Sequence, residues 1–309
     1  MKILIELPSW LGDSVMATPA IENLAIFFKN SDIRLLGPLL SIELLKNHPK
    51  VSKSYVVEKN YLKLFKTIKE IGEVDIFISF RGSFRTKFVK FFISSKSKYQ
   101  FNKNFFINGH QVEKYNNFLN NSLKINTTPS KLKLYVKSKI EIKSKTKLVG
   151  LNPGASYGSA KRWYPKEFAK VAANLSKQYD IIIFGGPKEK DIAGDIEKYL
   201  IENEIYNYQN LAAKTSIFEL INKIESLDLF ITGDSGPMHI AAAFQIPTIA
   251  IFGPTNDNET SQWMNQKSVI IKRNLECQPC MKRTCPLKHH KCMKDLKAED
   301  VLVEVQNVN

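Results

Sequence analysis

Short apolar runs alternate along this chain with stretches whose apolar residues recur at helical spacing. That alternation predicts βαβ units around parallel sheets. The first half opens on KILIEL (Lys2–Leu7), an apolar run rich in branched residues that suits a strand covered on both faces. A helix is predicted from about Asp13 to Lys29, with Val15, Met16, Ile21, Leu24, Ala25 and Phe28 near helical spacing. A strand Ile33–Leu36, a helix near Ile42–Asn47, a strand Ser54–Val57, a helix Leu62–Ile71 and a strand Asp75–Ser79 follow. From about Asn102 to Lys147 the chain turns polar and rich in Asn, Ser and Lys, and reads as an interdomain linker with some strand character.

The second half restarts the same grammar. Strand Leu148–Asn152 leads through the loop Pro153–Ala160 to a helix Pro165–Lys177, with proline in its first turn. Strand Asp180–Phe184 ends at Gly185-Gly186-Pro187, before a helix Glu189–Glu202. Thr215 or Ser216 caps a helix running through Ile224, with Glu219 three residues beyond Ser216 as in a capping box. Strand Leu229–Thr232, helix Pro237–Phe244 and strand Thr248–Phe252 follow; a Cys-rich loop and a helix Lys297–Val305 end the sequence. The pattern predicts an α/β protein of two similar domains, 1–145 and 146–296, with a cleft between them. The closing helix, about 297–309, is expected to pack back on the first domain.

Composition fits this picture. The 309 residues exceed one compact core, and 43% hydrophobic with 24% charged residues marks a globular chain. No apolar stretch approaches the ~18 residues that span a bilayer, and MKILIELPSW is too short and interrupted for a signal peptide. A cytoplasmic, non-integral protein is expected. Charge is unevenly divided: residues 1–149 hold 26 Lys and Arg against 11 Asp and Glu, whereas residues 150–309 hold 19 of each. Compositional drift toward lysine would affect both halves, so the first half is expected to meet an anionic partner, whether phosphorylated lipid, nucleic acid or a membrane face.

Candidate chemistry lies in three loops that each follow a strand, where ligands bind in open parallel sheets. The first is Pro8-Ser9-Trp10-Leu11-Gly12-Asp13-Ser14. Asp13 reads locally as a helix N-cap, and equally as a carboxylate kept ionised by the helix dipole and able to take a proton. The second runs from Asn152 to Trp163, where glycines allow backbone N–H groups near an anion and Lys161 adds a charge. It is neither a P-loop nor a G-x-G-x-x-G turn. The third is Thr232-Gly233-Asp234-Ser235-Gly236-Pro237-Met238-His239. Ser235 and Gly236 place donors at a helix start, a diphosphate site; Asp234 suits sugar hydroxyls better than phosphate; His239 reads equally as a core histidine or a ligand.

Three motifs in this order, WLGDSVMATPAI, LNPGASYGSAKRW and GDSGPMHIAAA followed by FGPT, resemble the ADP-heptose:lipopolysaccharide heptosyltransferases across nearly the whole chain. The tail CQPCMKRTCPLKHHKCM resembles a Cys-rich segment of the subgroup that adds the second heptose. The resemblance implies a GT-B fold, two Rossmann-like domains with parallel sheets facing an interdomain cleft, with the donor in the second and the acceptor in the first. It implies ADP-L-glycero-β-D-manno-heptose as donor and heptosyl-Kdo-lipid A as acceptor, with inversion at the anomeric carbon. Asp13 matches the general base, Lys161 the contact to the donor phosphate, and Asp234 the carboxylate that holds the heptose. Ser235 and Gly236 match the diphosphate turn and His239 its histidine; Glu189, Asp191 and Thr215 fall at the adenosine contacts, and Ser9 near the acceptor. The basic half is then expected to lie peripherally on the inner face of the inner membrane.

No two aspartates are two residues apart, so no D-x-D metal clamp is present, and Lys161 with helix N–H groups is expected to meet the leaving-group charge. Cys277, Cys280, Cys285 and Cys292 are spaced C-x2-C-x4-C-x6-C, which admits a structural zinc site or reduced thiols packed in a stabilised loop. A catalytic metal is not expected. Two alternatives remain: another heptosyltransferase (I or III) with a different acceptor, and a nucleic-acid-binding protein, which would use the charge but leave the three loops unexplained.

Overall fold

A computed structural model of the protein describes residues 1–58, 60–136 and 146–308, and these divide into two compact units, Met1–Lys137 and Ser138–Asn309. The predicted boundary at residue 145 and the middle of the predicted linker, 137–145, lie outside the described residues.

The first unit runs β1 (Lys2–Glu6), α1 (Leu11–Met16), α2 (Thr18–Phe27), β2 (Asp32–Gly37), α3 (Leu39–Leu45), β3 (Val51–Val56), α4 (Tyr61–Ile71), β4 (Val74–Ser79), α5 (Phe84–Phe92), β5 (Ser95–Gln100) and α6 (Gln111–Leu123). Its sheet is wholly parallel in the order β3-β2-β1-β4-β5, with Ile3 opposite Ile33 on one side and Ile76 on the other. The crossover reverses at β1, whose Ile3, Leu4 and Ile5 are fully buried, as a central strand covered on both faces requires.

Two predictions change here. The single helix from Asp13 to Lys29 is two helices broken at Ala17, because Pro19 lacks the N–H that would continue α1 and sits in the first turn of α2. The polar stretch read as a linker contains α6, begun by a capping box in which the His110 ring accepts from Val112 N and the Glu113 carboxylate accepts from His110 N. Val112, Tyr115, Phe118 and Leu119 bury one face of α6, and the asparagines that made it look unstructured are used internally. Asn116 Nδ2 donates to Thr127 O at 2.6 Å, and Asn23 Nδ2 donates to Asn116 Oδ1 at 2.8 Å. Beyond α6 an extended segment lies along α2, with Leu132 and Leu134 buried and Lys133 N donating to Thr18 Oγ1.

The second unit runs β6 (Lys147–Asn152), α7 (Pro165–Leu175), β7 (Tyr179–Ile183), α8 (Lys190–Glu202), β8 (Tyr208–Asn210), α9 (Ile217–Glu225), β9 (Leu229–Gly233), α10 (Gly236–Ala243), β10 (Thr248–Ile251), α11 (Asp257–Thr260), β11 (Ser268–Ile271), α12 (Lys291–Lys294) and α13 (Ala298–Val308). The sheet is again wholly parallel, in the order β11-β10-β9-β6-β7-β8, so the crossover reverses between β6 and β9. This is the dinucleotide-fold order, and it brings the loops after β6 and β9 side by side. Ser216, not Thr215, caps α9: its hydroxyl accepts from Glu219 N and the Glu219 carboxylate accepts from Ser216 N.

The closing helix packs within the second unit. Val301, Val305 and Val308 of α13 join the core of the second unit beside α7, β10 and β11. Trp163 Nε1 donates to Leu296 O and the Glu167 carboxylate accepts from Ala298 N, fixing the start of the helix there. An apolar helix face goes where apolar surface is left uncovered, here the edge of the larger sheet. No helix among the described residues is long and apolar enough to cross a membrane.

Candidate functional site

In the first unit the loop after β1 is pinned from below. Ser14 and Ser41 are buried; Ser41 Oγ donates to Pro8 O at 2.8 Å, and Ser14 Oγ donates to Ser41 Oγ at 2.9 Å. The pinned loop leaves Ser9 exposed and Asp13 half-buried. Asp13 is not an N-cap: that position belongs to Trp10, which makes no side-chain cap, and Asp13 lies inside the first turn of α1. From the first turn the carboxylate feels the positive end of the helix. Tyr115 of α6 lies within its electrostatic reach; burial, and after it the Asp13 charge, hold the Tyr115 phenol well above its ordinary range.

The same strand end carries residues that sequence reasoning passed over. Glu6, the last residue of β1, is fully buried; Ser79 Oγ donates to Oε2 at 2.7 Å and Thr86 Oγ1 to Oε1 at 3.3 Å. Arg81 Nη1 lies 3.5 Å from Glu6 Oε1. Burial outweighs these partners and pushes the Glu6 carboxyl up. Arg85 is close enough to Arg81 that burial first, then the like charge of Arg81, lower its pKa. Two guanidiniums thus converge on the loop after β4, held by a carboxylate from β1. The signal lay in ISFRGSFR, a strand followed at once by two arginines.

Replacing Glu6 with Ala leaves two hydroxyls and a guanidinium without their buried acceptor, and is expected to cost about 3 kcal/mol in urea unfolding. Glu6→Gln keeps an acceptor and is expected to cost less than about 1.5 kcal/mol. The folded-state carboxyl has a raised pKa, so it binds its proton before the unfolded chain does. Wild type should therefore gain on Glu6→Gln as pH falls through the raised value, with the gain complete below the ordinary glutamate range.

In the second unit, Lys161 ends the loop after β6 and Asp234 opens the loop after β9. The Lys161 ammonium sits 2.5 Å from Asp234 Oδ2, with the two side chains only 12% and 5% exposed. Thr255, from the loop after β10, donates to the same oxygen at 2.6 Å. The FGPT motif therefore acts through its threonine, which fixes the carboxylate that pairs with the lysine. Asn152 Nδ2 donates to Thr232 Oγ1 at 3.1 Å and Ser235 Oγ at 2.9 Å, tying the end of β6 to the turn before α10. Ser235 is the N-cap of α10 but makes no side-chain cap, and Gly236 opens the helix, so its first N–H groups face the lysine loop unmasked by a cap. His239 is buried on α10.

The other expected contacts spread outward. Glu189 is buried; its carboxylate accepts from Gly186 N at 2.6 Å and fills the space a side chain would need at Gly154. It is a loop-holding group as well as a candidate adenosine contact. Asp191 is exposed in the first turn of α8, and Thr215 is half-buried just before the α9 cap. Lys161, Asp234, Ser235 and Gly236 are brought together; Glu189, Asp191 and Thr215 lie at the ends of neighbouring elements.

The Cys-rich segment supports the lysine loop. Tyr157 Oη donates to Met281 O at 2.8 Å, and its ring lies under both Lys161 and Arg283. Ala160 N donates to Arg283 O at 3.0 Å, and His290 Nε2 is 2.9 Å from Ala160 O. A Cβ on Gly158 would lie 2.3 Å from Arg283 O, so only glycine permits this approach. Among the described residues no three His, Cys, Asp or Glu side chains are grouped to hold a metal ion. Cys292 is buried on α12 within the core, and burial first, then the other three thiols, push its pKa up to about 11.

Comparison with known proteins follows the same outline. Residues 62–291 match the family model of glycosyltransferase family 9 (heptosyltransferase). Lipooligosaccharide heptosyltransferase 2 of Campylobacter jejuni (serotype O:6, strain 81116) is 45% identical over 316 residues, covering 100% of this chain and 99% of that protein. The structure of E. coli ADP-heptose LPS heptosyltransferase II superimposes with a TM-score of 0.84 at 22% identity, covering 100% of this chain and 98% of that one. An E. coli heptosyltransferase solved with ADP gives a TM-score of 0.78 at 13% identity, with both chains covered in full. These likenesses place the two Rossmann-like units in the GT-B fold class.

Proposed function

The chain belongs to glycosyltransferase family 9, the heptosyltransferases, and on that premise we propose that it moves L-glycero-D-manno-heptose from ADP-heptose to the first heptose of heptosyl-Kdo-lipid A, with inversion. It is a glycosyltransferase of lipopolysaccharide core synthesis; the acceptor and the mechanism are our reading. The observation that carries the acceptor assignment is the 45% identity, over the whole chain, to a lipooligosaccharide heptosyltransferase 2.

In this reading the second unit holds the donor. The diphosphate lies at the start of α10, met by the Ser235 and Gly236 N–H groups, with the Lys161 ammonium on the phosphate. Asp234, kept in place by Thr255, turns its free lone pairs to heptose hydroxyls. Glu189, Asp191 and Thr215 line the approach of the adenosine. As the anomeric bond to ADP breaks, charge develops on the diphosphate, and Lys161 with the helix dipole stabilises it. The first unit supplies the acceptor and the base. Asp13 takes the proton of the attacking hydroxyl, which then bonds to the anomeric carbon on the face opposite ADP. A single displacement with one base inverts a β-linked donor to an α-linked product. Ser9 touches the acceptor, and Arg81 and Arg85 meet its phosphates or Kdo carboxylates. The lysine-rich first unit rests peripherally on an anionic membrane face.

Initial rates with ADP-heptose on Kdo-lipid A and on heptosyl-Kdo-lipid A, with product linkage determined, test the assignment. Transfer only to the heptosylated acceptor, giving an α-linked second heptose, is expected. Faster transfer to Kdo-lipid A would reassign the chain to the first step of the core.

A further inference from the structure

The helix α5 leaves the two ends of its aromatic stripe outside the core, with Phe88 between them half-buried against it. Its sequence FRTKFVKFF places Phe84, Phe88 and Phe91 on one face, yet the residues it buries are Thr86 and Val89. Phe84 and Phe91 are 78% and 77% exposed. The neighbouring helix α4 extends the same surface: Leu62 is 75% exposed, and edge-to-face contacts of Tyr61 with Phe88 and of Phe65 with Phe92 join the two helices into one apolar face. Single exposed apolar residues are ordinary, but a contiguous aromatic face is not.

Cations frame that face. α5 carries Arg85, Lys87 and Lys90 and no acidic residue; α4 carries Lys63, Lys66 and Lys69 and only Glu70 against them. We propose that the α4–α5 face of the first unit is a membrane-docking surface, on which Phe84, Phe91 and Leu62 enter the headgroup boundary of an anionic bilayer while Lys66 and Lys87 meet its phosphates. This deepens the reading of the first unit as the acceptor unit, and rests on it for the choice of partner.

The chemistry favours lipid over other occupants. A second copy would bring one lysine-rich face against another, at a cost in like-charge repulsion. Nucleic acid stacks bases on open ring faces, but here Tyr61, Phe65, Phe88 and Phe92 are turned edge to face against one another. What they offer is an apolar surface bordered by ammonium groups, the make-up of an interfacial helix. The face is also well positioned: α5 begins where the loop holding Arg81 ends, so a lipid headgroup lying on α5 leads into the strand-end loops that carry Asp13.

Co-sedimentation of the full-length protein with phosphatidylglycerol–phosphatidylethanolamine vesicles tests the proposal, with pure phosphatidylcholine vesicles as control. Wild type is expected to bind the anionic vesicles only. Leu62→Ser/Phe84→Ser/Phe91→Ser, which removes no buried contact, is expected to melt within a few degrees of wild type and to bind about a hundredfold more weakly. Lys66→Gln/Lys87→Gln should weaken binding about thirtyfold, at roughly 1 kcal/mol for each of the two charges lost. With the triple variant, transfer to a de-acylated, soluble heptosyl-Kdo acceptor should be unchanged, while transfer to the same acceptor embedded in vesicles falls.

Unaltered vesicle binding by the triple variant overturns the proposal. So does loss of affinity for single-stranded RNA with vesicle binding intact, or a wild-type dimer in sedimentation velocity that the triple variant loses. Sedimentation reads binding without turnover. An inactive transferase that still binds vesicles would therefore count against the proposed function and not against this surface.

Discussion

Asp13→Asn is expected to bind ADP-heptose as wild type does, to melt at the same temperature, and to transfer heptose about a hundred- to ten-thousandfold more slowly, the range a positioned base contributes. The substitution is close to isosteric. Asp13 lies inside the first turn of α1, where the dipole interaction of its charge is worth about a few tenths of a kcal/mol. A capping aspartate would behave differently, because its loss would lower the melting temperature along with the rate. Initial rates at saturating donor and acceptor, together with a melting curve, distinguish the two. Near-wild-type turnover in a folded Asp13→Asn protein would falsify the assignment of the base.

Lys161 and Asp234 are expected to show the opposite combination, with stability and chemistry falling together. The pair is nearly excluded from solvent, and Thr255 supplies only one further donor to Asp234. Lys161→Ala leaves a buried carboxylate short of its counter-charge, and Asp234→Ala leaves a buried ammonium; each is expected to cost about 3–5 kcal/mol of stability. Lys161→Ala should also lose about a hundred- to thousandfold in kcat, the worth of one group aimed at developing charge. The informative variant is the double one, Lys161→Met/Asp234→Leu. Replacing both charges with apolar groups of similar size should restore most of the lost stability and none of the transfer. Urea unfolding beside donor turnover reads both. If the double variant regained turnover, the lysine would be a structural residue only.

The sheets were legible because their signal is local. Runs such as KILIEL and the stretches ending at Asn152 and Thr232 are apolar, branched and short, and the strand-end loops follow directly from them. What was hidden depends on partners far along the chain. The asparagines of α6 look like a linker until Asn23 and Thr127 are seen to satisfy Asn116. The stripe of α5 follows helical spacing, but only Phe88 meets the core while Phe84 and Phe91 stay exposed, so periodicity could not say what it is for. Asp13 resembled a cap because Gly12 and the strand end set the helix start only roughly. The pairing of Lys161 with Asp234 spans 73 residues, and Thr255 reaches Asp234 across 21 more, so no spacing rule could join them. The cysteines offered intervals alone, and these could not say that Cys292 lies in the core of the second unit.

Gly158 and Arg283 meet through main-chain atoms, and so do Ala160 and Arg283, while Tyr157 reaches Met281 O with its hydroxyl. A brace built on carbonyl oxygens is indifferent to most of the side chains that carry it. Met281 gives only its carbonyl and is thus free to drift in sequence, whereas the Arg283 and His290 side chains also touch the lysine loop. The one position that cannot drift lies on the other strand of the contact, where a single hydrogen atom is all that the neighbouring peptide leaves room for.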